Sequence, residues 1–164
     1  MSRTPQSKAF PPLYVLQAGE TCPACGKATN AYALLAAGLY DPVEESNYDG
    51  HVLFRNIEHL PTHFLARLKG RCPGWRFGRE AAGALAYLMN HCLHCGARLT
   101  DDYTQGEPGS AFCPCSKEEC WNISTYRLPV NEDVPLVCTS SVGGLTDFLD
   151  YDHAEPWEAL AAAG

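Results

Sequence analysis

An α+β fold is what this sequence predicts, on three observations. Two copies of a Cys-x-x-Cys-Gly motif sit far apart, at Cys22/Cys25 and Cys92/Cys95. Several short segments have strand composition, among them LYVLQA, HVLFRNI, NISTYRL and VPLVC. One segment after Pro61 has helical periodicity, with Phe64, Leu65 and Leu68 on one face and Gly70 as its stop. Together they describe two hairpin knuckles with a long insertion between them, carrying strands and a short helix.

Along the chain, residues 1–11 read as a flexible leader ending at Pro11-Pro12, residues 12–152 as a single domain, and residues 153–164 as a short C-terminal helix or tail. The first strand, LYVLQA, runs into the first cysteine pair. NAYALLAAGLY, which comes after that pair, fits either state, because its alanines favour helix while its tyrosines suit a strand. DPVEESNYDG is a polar, turn-rich loop. GALAYLMNH has helical propensity, yet it leads straight into the second cysteine pair, and a strand is expected there because metal knuckles sit at hairpin tips. LTDFLDY and EPWEALAAA are expected as short C-terminal helices.

A chain of 164 residues suffices for one domain with a real core, and with 46% apolar residues it should fold. Its longest apolar run, AYALLAAGLY, is too short to span a membrane, and MSRTPQSKAFPP lacks the apolar centre of a signal peptide. A cytoplasmic location is the resulting expectation. A reducing compartment disfavours disulfides, so nine cysteines point to metal ligation, and an odd number leaves an orphan in any disulfide framework.

The two motifs share their trailing glycine, Gly26 and Gly96. The turn after the second cysteine of a metal knuckle bends sharply and favours a residue at home with positive φ. Amides of that turn also damp the charge of the first thiolate. Four thiolates at tetrahedral positions make a closed Zn2+ site with no open coordination position. The expected ligands are Cys22, Cys25, Cys92 and Cys95. Residues 26–91 lie between the pairs, against a usual ribbon spacing of about 15 to 20 residues. Loop-closure entropy grows only slowly with length, so such an excursion is compatible with one site. A thiol oxidoreductase would need a helix directly after Cys-Pro-Ala-Cys, where glycine is a poor continuation, and would leave the second pair without a role.

The string NHCLHCGARLTDD, with a Cys-x-x-Cys upstream, resembles small bacterial zinc-ribbon proteins. Asn90, Cys92, Cys95, Gly96, Ala97 and Asp101 match their pattern, and EPGSAF and VGGLTDFL are similar to the later segments of such chains. Leu-Thr-Asp stands here where a Gln-Gly-Asp run is common. The resemblance implies the four ligands and carries no activity with it.

Other candidates each have a plainer reading. Cys113, Cys115 and Cys120 in FCPCSKEEC form a candidate second metal or thiol cluster, with His59, His63, Cys72 or Cys138 as distant contributors, the alternative being small buried thiols or one oxidisable pair. Glu58, His59, Pro61 and Asn90 occur in the order used by HNH-type metal-dependent nucleases, but no histidine follows Cys95 on a helix to complete that site. His153-Ala-Glu155 imitates a deaminase motif without the cysteines that must come after it. Arg67, Lys69, Arg71, Arg76 and Arg79 concentrate basic charge on a chain of net charge −7 and offer candidate anion or nucleic-acid contacts. That net charge disfavours nucleic acid. The expectation is a non-enzymatic zinc-binding module with a protein partner, ahead of a nucleic-acid-binding ribbon and an HNH-like nuclease.

Overall fold

The computed structural model describes residues 5–160. The fold is mostly β with two short helices, and the two Cys-x-x-Cys pairs are separated by a long intervening segment as expected from the α+β reading of the sequence. β1 (Ser7–Thr21), β2 (Ala28–Asp41) and β3 (Ser46–His59) are long antiparallel strands joined by tight connections. β8 (Val134–Ser141) pairs with β3 on one side and with the start of β1 on the other. The pairings β1–β2, β2–β3, β3–β8 and β8–β1 therefore close a ring. β7 (Ser124–Arg127) continues the sheet along the second half of β1, and β9 (Glu155–Pro156) adds to it in parallel.

The ring explains why NAYALLAAGLY reads ambiguously. In β2, Tyr32, Leu34 and Ala36 enter one apolar cluster while Ala31, Ala33 and Leu35 enter another, on the opposite face. β1 divides likewise, with Leu13 and Val15 on one face and Tyr14, Leu16 and Ala18 on the other. A strand buried on both faces shows no apolar–polar alternation, so its period is hidden in the sequence. The first cluster is capped by α1 (Thr62–Lys69), whose Phe64 and Leu68 are buried. Pro61 sits at the N-cap and Gly70 at the C-cap of α1, as the sequence suggests. The second cluster is covered by the segment around Phe112, Cys120 and Ile123 and by Leu145 and Leu149.

A separate three-stranded sheet is built from β4 (Arg76–Gly78), β5 (Tyr87–His91) and β6 (Arg98–Leu99). β5 is the strand expected from GALAYLMNH, and all five of its residues are buried. α2 (Asp101–Gly106) follows β6 directly; the Thr100 side chain caps it by accepting from the Tyr103 amide.

Several boundaries differ from expectation. β1 begins at Ser7, so residues 7–11 of the segment read as a leader are strand; residues 1–4 lie outside the described range. Pro11 and Pro12 fall at the register shift between Phe10 and Leu13, where their missing N–H groups interrupt no ladder. DPVEESNYDG is a loop only in its first half, since β3 starts at Ser46. LTDFLDY and EPWEALAAA form only single 3-10 turns, at Gly144–Asp147 and Trp157–Ala159, and residues 161–164 of the expected tail lie outside the described range. No helix among the described residues is long and apolar enough to cross a membrane.

Candidate metal centre

The tips of two hairpins meet at one point. Cys22 and Cys25 lie in the connection between β1 and β2, and Cys92 and Cys95 in the connection between β5 and β6. Each connection folds the same way. In the first, the Cys22 amide donates to the Lys27 carbonyl (2.9 Å) and the Gly26 amide donates to the Cys22 carbonyl (2.8 Å). In the second, Cys92 donates to Ala97 (2.8 Å) and Gly96 to Cys92 (2.9 Å). Gly26 and Gly96 share a φ of +75°, in the left-handed region where a Cβ is strained. Both turns therefore require the glycine that the motif supplies.

The four Sγ atoms lie within 4.8 Å of one another. Cys22 Sγ is 3.7 Å from Cys95 Sγ, and Cys25 Sγ is 3.7 Å from Cys92 Sγ. Sulfurs at the corners of a tetrahedron, each about 2.3 Å from a central zinc ion, stand about 3.8 Å apart. The cluster thus has the spacing to hold a metal ion such as zinc. All four donors are sulfur, which suits zinc over a hard cation such as magnesium.

Polar contacts hold the two knuckles against each other. The Leu93 amide donates to Thr29 Oγ1 (3.2 Å), and His94 Nε2–H donates to the Ala28 carbonyl (3.0 Å). Behind them, the buried Asn90 side chain lies against β2 as a surrogate strand. Its Nδ2 donates to the Tyr32 carbonyl and its Oδ1 accepts from the Tyr32 amide, both at 2.9 Å. Leu99 and Tyr103 pack on the buried Cys22 and Cys92, and the Tyr103 hydroxyl donates to the Thr21 carbonyl (3.2 Å). Cys25 and Cys95 reach the surface. Thr29, His94 and Tyr103 carry no motif signal; only Asn90 stands out in the sequence, through the resemblance.

The thiols titrate against one another. The amide of Cys95 first, and that of His94 after it, bring the Cys92 thiol down to about 6 against the opposing effect of burial. The Ala97 amide favours the Cys95 thiolate, but burial and the neighbouring sulfurs outweigh it and push that thiol up to about 11. Four adjacent thiolates repel, and a divalent cation among them removes that conflict.

The remaining candidates are placed differently. Among the described residues, the four cysteines are the single group of three or more metal-type side chains brought within ligating distance. Cys113 is half-buried and Cys115 exposed, while Cys120 is buried with its thiol 3.8 Å from the Ser116 carbonyl. Of the distant contributors considered for that cluster, Cys72 and Cys138 have their thiols pushed up to about 12 by burial, and His59 and His63 are exposed. Glu58 and His59 are exposed at the end of β3, while Asn90 is consumed by β2. Arg67 donates to the Pro129 carbonyl (3.3 Å). Arg71 donates to the carbonyls of Glu158 (3.1 Å) and Leu160 (2.6 Å), and Arg79 to that of Ala84. Three of the five basic side chains thus brace the chain's own backbone, while Lys69 and Arg76 are exposed.

No protein-family model matches the chain, and neither does a curated protein or a solved structure; the four-cysteine cluster alone suggests a zinc-ribbon-like site.

Proposed function

We propose that the chain is a non-enzymatic interaction module, stapled by one structural zinc ion and presenting its surface to a protein partner. The observation that carries this is the closed cluster of four sulfurs at the junction of two hairpin tips. A metal ringed by four protein thiolates has no vacant position for water or substrate, so it holds structure rather than acting as a Lewis acid. Here it joins the ring, through the β1–β2 connection, to the small sheet, through the β5–β6 connection. A protein partner is favoured over nucleic acid because most of the basic stretch is spent on internal carbonyls. Large apolar side chains stand exposed at Leu85, Trp121 and Phe148, the kind of side chain that protein interfaces enclose.

The test is metal content and partner capture on one preparation. The reading expects one zinc per chain, retained through gel filtration, and a protein retained from an extract of the source cells. A chain that purifies without metal, or that cuts DNA in a manner abolished by His59→Ala, contradicts it.

A further inference from the structure

A groove of about 160 Å³ is lined by residues of α1, of the small sheet and of the chain between them. Its apolar lining is Leu65 and Leu68 of α1, Trp75, Phe77 of β4 and Leu88 of β5. Trp75 is nearly buried, whereas Phe77 is 39% exposed, so its ring is available to a visitor. The groove has room for one apolar side chain. Its charged lining residues are Lys69 and Arg76. These are the two members of the basic stretch left over when Arg67, Arg71 and Arg79 have taken backbone carbonyls. Neither belongs to the ion pairs found among the described residues, Arg55–Asp102 and Asp150–His153.

We infer that this groove docks an acidic peptide segment of a protein partner, an apolar side chain entering between Leu65 and Phe77 while carboxylates flanking it meet Lys69 and Arg76. The inference rests on the protein-binding reading above and names its surface. Charge decides the occupant. The chain as a whole carries −7, which repels an acidic partner at long range. At physiological salt that repulsion is screened beyond about 8 Å, and at contact the groove is lined by two cations and no carboxylate. A nucleic acid fits less well, because its phosphates need a row of cations and polar donors, and this groove offers an apolar slot between two. The basic stretch thereby gains a role for the two side chains that the fold leaves unspent.

The experiment uses the zinc-loaded chain and a short fluorescein-labelled peptide carrying Leu-Phe between runs of Asp and Glu, read by fluorescence anisotropy. Saturable binding is expected, weakening with added salt, and lost when Leu-Phe is replaced by Ser-Ser. The double reversal Lys69→Glu/Arg76→Glu should weaken it about tenfold, in line with the discrimination that charge complementarity gives. Phe77→Ser, at an exposed ring, should weaken it comparably; zinc content and unfolding midpoint of each variant report that the fold is intact. No binding of the peptide, or equal binding by the charge-reversed chain, overturns the inference. So does preferential binding of a labelled single-stranded oligonucleotide, or a concentration-dependent dimer abolished by Phe77→Ser, which would make a second copy the occupant. Capture from cell extract with the wild-type and charge-reversed chains separates the two levels. A partner held equally by both keeps the module and discards the groove, whereas no partner held by either discards the module.

Discussion

The ring of β1, β2, β3 and β8 and the small sheet of β4, β5 and β6 meet at the four-cysteine cluster but are stabilised by different means. The ring's strands run to 15, 14, 14 and 8 residues and bury apolar side chains on both faces. The small sheet's strands have 3, 5 and 2 residues, and only β5 is buried throughout. A sheet that short is marginal on its own. It persists because β5 lies against β2 through Asn90 and because the connection after it ends in two of the four sulfurs. One region folds by burying area on both faces; the other buries little beyond β5, whose Leu88 joins the first apolar cluster, and adds to it a few polar contacts and the four-cysteine cluster.

The largest expected effect separates the two directly. Removing the metal with a chelator, or replacing a ligand as in Cys92→Ser, withdraws a contribution on the order of 10 kcal/mol in small structural-zinc domains. Amide exchange should rise sharply over residues 87–99 while the strands of the ring keep their protection. Uniform loss of protection would mean that the ring also depends on the ion. In the opposite direction, Phe54→Ala opens a cavity within the first apolar cluster, where Phe54 is 1% exposed. A loss of about 3–5 kcal/mol in global stability is expected, with zinc stoichiometry unchanged in the folded fraction. Denaturant unfolding with metal analysis checks both halves of that statement.

Between the two regions lies a polar seam, and it should respond to pH. Asp101 in α2 is buried, and its Oδ2 accepts from the amide of Asn56, which holds a left-handed φ of +49° in the irregular part of β3. Burial raises its carboxyl to about 6, from the ordinary 3.8. Because the folded value is the higher one, the fold favours the neutral acid. The associated stability is fully present below about pH 4 and is lost as pH rises through 6. Asp101→Asn keeps an acceptor for the Asn56 amide and removes the titration. The wild type should therefore lose on the order of 2 kcal/mol relative to the variant between pH 4 and pH 7.5. Parallel pH profiles for the two proteins would show that the carboxyl is not the titrating group. The smallest effect is expected at Arg71, half-buried beside Trp157 with its guanidinium 5.9 Å from that ring and bonded to the last described carbonyls. Arg71→Ala should cost about 1 kcal/mol or less, with faster amide exchange confined to residues 157–160.

The same contrast separates what is legible in the sequence from what is not. The four-cysteine cluster is legible because a metal-type ligand set is written in residue types at fixed spacing, and Gly26 and Gly96 repeat the backbone requirement. α1 is legible because Pro61, the Phe64/Leu68 face and Gly70 are local signals. The strand at Tyr87–His91 follows from its position before a knuckle, against its helical propensity. The ring is not legible. Its closure depends on β8 reaching both β3 and the start of β1, pairings between residues far apart in sequence. Two-sided burial erases the alternation of β2, and Pro11-Pro12 disguises strand residues as a leader. α2 escapes notice because its capping signal, Thr100, is a single residue ahead of a six-residue helix. The supports of the cluster, Thr29, His94 and Tyr103, act through contacts that only the assembled hairpins create.

The most direct measurement is X-ray absorption at the zinc edge on the purified chain, with metal content determined on the same sample. The account predicts one zinc per chain in a shell of four sulfurs at about 2.3 Å. A shell containing nitrogen or oxygen donors, fewer than four sulfurs, or a folded chain without stoichiometric metal would contradict it.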